Sequence, residues 1–178
     1  MDIGVISVRY ARALLKSATE ERQEKRVYQE MLTLAASFVE VPQLRQTIDN
    51  PMLASDVKRK VLLAAAGGSV SPLTERFIGL VIKEGREDMV QFMANSYVTL
   101  YRAQQNIIRG RLTTAASVSA ETEQKMRQLV EKQTNGTVEF ETEVDDSIIG
   151  GFILEYDTYR MDASVKSRLN NILNTLKK

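Results

Sequence analysis

Apolar residues recur with a helical period through roughly the first hundred positions of this chain, and near residue 106 they change to a period of two. A helix cannot gather the second pattern on one face, nor a strand the first. The chain must therefore divide into a helical part, taken as residues 1–105, and a part containing a sheet, taken as 106–178.

In the helical part, Ile6, Tyr10, Ala13, Leu14 and Ala18 form one stripe, and Val27, Met31, Leu34 and Phe38 a second, with Glu24, Lys25 and Glu30 on the other face. Pro42 and Pro51 bracket a short helix holding Leu44 and Ile48. A fourth helix fits Val57, Val61, Leu62 and Ala65, with Ser55 or Asp56 as N-cap and Gly67-Gly68 as its stop. Ser71-Pro72 starts a fifth, whose Phe77, Ile78, Leu80, Val81 and Ile82 are apolar on nearly every side until Gly85 ends it. Val90, Met93, Tyr97, Leu100 and Tyr101 describe a sixth. Six helices with short connections imply an all-α bundle.

Beyond it, Val138, Phe140, Thr142 and Val144 alternate with Glu139, Glu141, Glu143 and Asp145, the pattern of a strand with one buried and one acidic face. Ile107–Val118 contains another strand, interrupted by Gly110. Ser119 caps a helix from Ala120 whose Met126, Leu129 and Val130 face inward, and Asn135-Gly136 is a turn. Ile148 to Leu154 reads as an apolar strand opened by Gly150-Gly151. Asp162 is placed to cap a last helix with Val165, Leu169, Ile172, Leu173 and Leu176 on one face, so that removing this helix should cost the unit its packing. The expected fold is mainly α: an N-terminal six-helix bundle followed by a small α+β domain.

Composition narrows the function. The 178 residues include no His, no Cys and no Trp, and the formal net charge is +1. Serine–histidine and cysteine–histidine nucleophiles are impossible within the chain, and the usual zinc, copper and iron–sulfur ligands are missing. Neither a catalytic residue nor a cofactor or metal site is expected. The balanced charge provides no field to attract nucleic acid. The longest apolar run, Val61–Ala66, is six residues, too short for direct membrane insertion. The opening Met1-Asp2-Ile3-Gly4-Val5 does not read as a leader.

Several features admit more than one reading. The Tyr10, Ala13, Leu14 stripe is bundle core or a partner groove. Gly150-Gly151 lacks the lysine and spacing of a phosphate loop and reads as a bulge or tight backbone approach. The acidic row of Glu139, Glu141, Glu143 and Asp145 could hold a cation, meet a basic partner, or simply guard a sheet edge. Lys166, Arg168, Lys177 and Lys178 make the last helix basic, which suits a helix C-terminus.

Three stretches resemble one family. Val144–Ile172, VDDSIIGGFILEYDTYRMDASVKSRLNNI, is similar to the C-terminal signature of the F-type ATP synthase delta subunit and its mitochondrial counterpart, the oligomycin-sensitivity-conferring protein. Its hallmarks here are Asp145, Ile148-Ile149, Gly150-Gly151, Asp162, Ser164, Lys166 and Arg168-Leu169. Arg9-Tyr10-Ala11-Arg12-Ala13-Leu14 resembles the opening of the same family, and Phe77 to Arg86 its fifth helix. The resemblance implies a non-catalytic stator component, one copy per complex, needed to couple proton flow to ATP synthesis. It implies that the N-terminal domain binds the catalytic head through the alpha-subunit N-terminal helix, in a groove with Tyr10, Ala13, Leu14, Phe77 and Val81 as candidates. It implies that the C-terminal domain binds the b subunits of the peripheral stalk, with Gly150, Gly151, Asp162, Ser164, Arg168 and Leu169 structural or stalk-facing. The expected place is the cytoplasmic face of a bacterial plasma membrane, held there by other subunits. An unrelated helical adaptor is the alternative, and a carboxylate- or lysine-based enzyme a remoter one.

Overall fold

Glycine and proline punctuate the helical part where the chain has to turn. The computed structural model describes residues 3–134, 136–156 and 158–176. The chain is mainly helical with a small four-stranded sheet, and it divides into two units, Met1–Ala103 and Gln104–Lys178.

The first unit carries α1 (Ile3–Glu20), α2 (Glu24–Glu40), α3 (Pro42–Asp49), α4 (Ser55–Ala65), α5 (Pro72–Lys83) and α6 (Val90–Gln104), the last entered through a 3-10 turn at Glu87–Met89. α2 packs against α1, α3, α4 and α5. Its Val27, Met31 and Leu34 are fully buried, as are Ala11, Ala18, Leu62, Ile78, Val81, Met93 and Tyr97. Ser71 caps α5 as its position before Pro72 suggests, its side chain accepting from the Thr74 N–H at 3.2 Å. At the other end Gly85 takes φ 62°, and the Arg86 N–H reaches back to the Val81 carbonyl, closing the helix in a Schellman turn.

Three sequence expectations for this unit change. α4 starts after Ala54 with no side-chain cap, so neither Ser55 nor Asp56 plays that part. Val57 is exposed and Lys58 is buried in its place, with Nζ 2.7 Å from Glu87 Oε1. Burial pushes the Glu87 pKa up, but the hydrogen bond and charge of Lys58, with the residue's own N–H, outweigh this and leave it lowered. Glu30, read as part of a solvent face, also turns inward and is buried.

The second unit holds β1 (Ile107–Thr114), α7 (Ala120–Thr134), β2 (Thr137–Val144), β3 (Phe152–Tyr156), β4 (Tyr159–Asp162) and α8 (Val165–Leu176). The sheet order is β2-β1-β3-β4, with β1 and β2 parallel across α7 and the other pairs antiparallel. Ser119 caps α7, whose Val130 and Met126 pack on Leu112, Val138, Leu154 and Tyr156. The Leu129 side chain lies outside the described residues, as do Asn135 of the expected turn, the Leu176 side chain, Lys177 and Lys178. Gly110 does not break β1. It stands opposite Phe140, whose ring would lie 2.6 Å from any Cβ there, so the missing side chain makes room for the aromatic on the next strand.

Here too the structure corrects the expectations. The alternation of β2 is real, but its inner face is covered only at the start: Val138 is buried while Thr142 and Val144 are exposed, because β2 is the sheet edge. On its other face the acidic row meets arginines of β1, Glu141 with Arg109 at 3.4 Å and Glu143 with Arg111 at 3.9 Å. Ile148 and Ile149 are not strand; Ile148 is buried in a 3-10 turn (Asp146–Ile148), and Ile149 follows it at φ 69°. Asp162 ends β4, and Ser164 supplies the cap of α8, accepting from the Ser167 N–H at 3.2 Å. The apolar stripe of α8 is not packed on the sheet: Val165, Leu169, Ile172 and Leu173 are all exposed.

Gly151 sits at φ 76°, and a Cβ there would lie 2.3 Å from the Ala163 carbonyl oxygen. Gly79, inside α5, has open space around the same position. Gly151→Ala should therefore destabilise the second unit by about 2–4 kcal/mol, whereas Gly79→Ala should stabilise the first by about 0.5–1 kcal/mol. Urea unfolding followed by circular dichroism measures both.

Candidate partner-binding groove

α1 and α5 lie side by side and antiparallel: Arg76 near the start of α5 bonds Glu21 just beyond α1 at 2.6 Å, while Arg86 beyond α5 reaches Tyr10. Between these bridges runs an open groove of about 190 Å³, walled by Tyr10, Ala13, Leu14 and Ser17 of α1 and by Leu73, Arg76, Phe77 and Leu80 of α5. It spans about two helical turns on each wall, roughly 11 Å. Ala13 is exposed, Tyr10 is half-buried, and Leu14 and Phe77 form its floor with only a few per cent of their surface open. Val81, the fifth residue expected here, is fully buried beneath it and belongs to the core. The apolar girth of α5 hid that distinction: Leu80, one position earlier, is 50% exposed and forms the rim.

Arg86 fixes the shape of one end. Its Nη1 donates to the Tyr10 hydroxyl at 2.9 Å, and the guanidinium lies 5.3 Å from the centre of the Tyr10 ring. Leu73, Phe77 and Leu80 step at i, i+4 and i+7, a stripe that sequence spacing could have separated from the core stripe. Nothing in the sequence pairs Arg86 with Tyr10, seventy-six positions away.

The signature residues of the second unit assemble at the root of α8. The Val165 N–H donates to the Gly150 carbonyl at 2.9 Å, and Gly151 passes over Ala163. Asp162 accepts from the Ser164 N–H at 2.9 Å through Oδ1 and from the Ser167 hydroxyl at 2.7 Å through Oδ2, and Ser164 is buried. Gly150, Gly151, Asp162 and Ser164 thus all bear on the start of α8, whereas Arg168 and Leu169 are exposed. With Ile149, the exposed side chains of Val165, Leu169, Ile172 and Leu173 give this unit a second apolar surface. Among the described residues no cluster of acidic side chains is arranged to hold a metal ion.

A family model described as the ATP synthase delta (OSCP) subunit matches residues 6–176. The chain belongs to this family. The ATP synthase subunit delta of Phocaeicola vulgatus is 49% identical over 173 residues, covering 97% of this chain and 94% of that protein. That of Parabacteroides distasonis is 42% identical over 172 residues, covering 97% and 96%, and that of Synechococcus elongatus 29% over 164 residues, covering 92% and 91%. The fold matches a chain in the cryo-EM structure of the Toxoplasma gondii mitochondrial ATP synthase hexamer, with a TM-score of 0.65, 22% identity and 97% of each chain covered. As a family member the chain is a non-catalytic stator component of an ATP synthase and works through contacts with other subunits of that membrane-associated complex. The unrelated-adaptor and enzyme readings fall with the family match. Among the described residues no helix is long and apolar enough to cross a membrane.

The Ser164 and Ser167 bonds hold the Asp162 carboxyl at about 2, against an ordinary 3.8. A carboxyl depressed on folding contributes stability above its unfolded pKa and loses that contribution as pH falls through the folded value. The start of α8 should therefore be intact above about pH 4 and loosen between pH 4 and 2. NMR shifts of the Ser164 and Ser167 amides should titrate together over that range, and in Asp162→Asn they should not.

Proposed function

We propose that this subunit joins the catalytic head to the peripheral stalk of a bacterial F-type ATP synthase. Its first unit, a self-contained six-helix bundle, grips the N-terminal helix of an alpha subunit in the α1–α5 groove, and its second unit holds the b subunits. The single observation that carries this reading is the groove: an open, apolar, two-turn channel bounded at both ends by side-chain bridges. Such a channel suits an amphipathic helix presenting residues at i, i+3 or i+4 and i+7. Because the walls are preformed, little ordering cost is charged against binding, and slow dissociation can outlast many rotary strokes. The exposed stripe of α8 with Ile149 supports the second contact, since an apolar face of that extent is ordinarily covered by a partner. On this reading one copy sits on the cytoplasmic face of the membrane and keeps the head from turning with the rotor.

Leu80→Asp places a charge on the groove rim without touching the core. The full-length variant should keep its circular dichroism and bind a synthetic alpha-subunit N-terminal peptide at least about tenfold more weakly in calorimetry. Unchanged affinity would remove the groove as the site.

Ending the chain after Ser164 tests the other contact. Because the α8 stripe is exposed, the shortened protein should retain its sheet and its thermal midpoint, contrary to what the amphipathic pattern alone suggests. In reconstituted vesicles ATP hydrolysis should continue while proton pumping collapses, the head being free to slip. Full pumping with the shortened chain in place would sink the stalk assignment.

A further inference from the structure

We propose that Glu30 of α2 is a positioning residue for the α1–α5 groove, setting the first turn of α5 from behind. The inference rests on the groove reading above. A carboxylate is rarely buried without donors to meet it, and Glu30 has three bonds of which two go to one residue. Its Oε1 accepts from the Ser71 N–H at 2.6 Å and from Arg26 Nε at 3.1 Å, and its Oε2 accepts from the Ser71 hydroxyl at 2.8 Å. Ser71 is the N-cap of α5, and its hydroxyl, donating to Glu30, accepts in turn from the Thr74 N–H. Arg26 also reaches the Ser69 carbonyl at 3.5 Å, so the connection from α4 is pinned to the same helix.

Glu30 thus satisfies one open donor at the start of α5 directly, orients the hydroxyl that satisfies another, and sets a negative charge at the positive end of the helix. Pro72 at the first position has no N–H to add. Thr74 on the same turn is fully buried, and among the described residues its Oγ1 has no partner, so this turn is not held by its own polar groups alone.

The consequence for the groove follows from position. Leu73 stands two residues beyond Ser71 and Arg76 five, and both are in the wall. At its far end the groove is tied by α1 itself, through Tyr10 and Arg86. At the near end the direct tie, Arg76 to Glu21, is exposed and weak. The spacing of the walls at Leu73 is therefore set by α2, through Glu30.

The test uses full-length protein, the synthetic alpha-subunit N-terminal peptide and Glu30→Gln, which keeps the side-chain volume and removes the charge. At a temperature where circular dichroism shows both proteins folded, the variant should bind the peptide about tenfold more weakly. Amide exchange should rise at Thr74 and Glu75 and stay unchanged at Met93 to Val98, and saturating peptide should restore the protection at α5. A merely structural role predicts instead that exchange rises throughout the unit while affinity holds, and that result overturns the proposal. If Glu30→Gln does not fold, Ser71→Gly carries the same test, since glycine can cap the helix but cannot link Glu30 to Thr74. Wild-type protein that fails to bind the peptide overturns the groove reading itself, whereas wild type that binds, matched by an equally tight variant, overturns the role of Glu30 alone.

Discussion

The first unit depends on α2 being gripped from four sides. Touching α1, α3, α4 and α5, this helix buries Val27, Tyr28, Met31, Leu34 and Phe38 and leaves Lys25, Gln29, Thr33 and Ala36 on an exposed face. Because α1 and α5 are both held from behind by this helix, they need not close on each other to be stable. An apolar channel can then stay open between them without collapsing, as two unsupported helices would. The tyrosines extend the same grip: Tyr28 stacks on Tyr101 with ring centres 4.4 Å apart, and Arg102 donates to the Tyr28 hydroxyl at 2.9 Å, fastening the end of α6 to α2.

Local chemistry was legible in the residues. Ser71-Pro72, Gly67-Gly68, Gly85 and Ser119 act where their conformational preferences put them, because a cap or a left-handed turn involves only near neighbours. The switch of period near residue 106 likewise marked where the first strand begins, at Ile107. Some local readings failed, the Ser55 or Asp56 cap of α4 and the Asp162 cap of α8 among them, and so did groups whose partners are far along the chain. Lys58 and Glu30 look like surface charges until Glu87 and Ser71 are brought to them, twenty-nine and forty-one positions away. In the groove, Tyr10, Ala13, Leu14 and Phe77 were readable from stripes and resemblance. Val81 was grouped with them because α5 is apolar on nearly every side, and only the spacing of Leu73, Phe77 and Leu80 separates the groove stripe from the core.

The second unit shows the opposite economy. Its core is one layer of side chains between α7 and the sheet, and the cover fades along β2. The acidic row on the outer face is balanced by Arg109 and Arg111 from the neighbouring strand, which keeps a long edge from offering a bare run of like charge. An amphipathic pattern states that a face needs covering without stating by what, and α8 is the case in point: its stripe is complete in sequence, and Val165, Leu169, Ile172 and Leu173 are exposed in the folded chain.

The way α8 is attached gives it a mechanical character. Its described side chains from Val165 onward are exposed apart from the half-buried Ser167, so the helix is a beam clamped at one end by the Gly150 carbonyl, Asp162 and Ser164. Twelve residues make a lever of about 18 Å. Any sideways load at its tip becomes a bending moment at that clamp, where Gly151 lies against the Ala163 backbone and Gly150 against the Val165 side chain, leaving almost no slack. Stiffness in this unit is thus decided less by the sheet than by the few atoms at the foot of one helix.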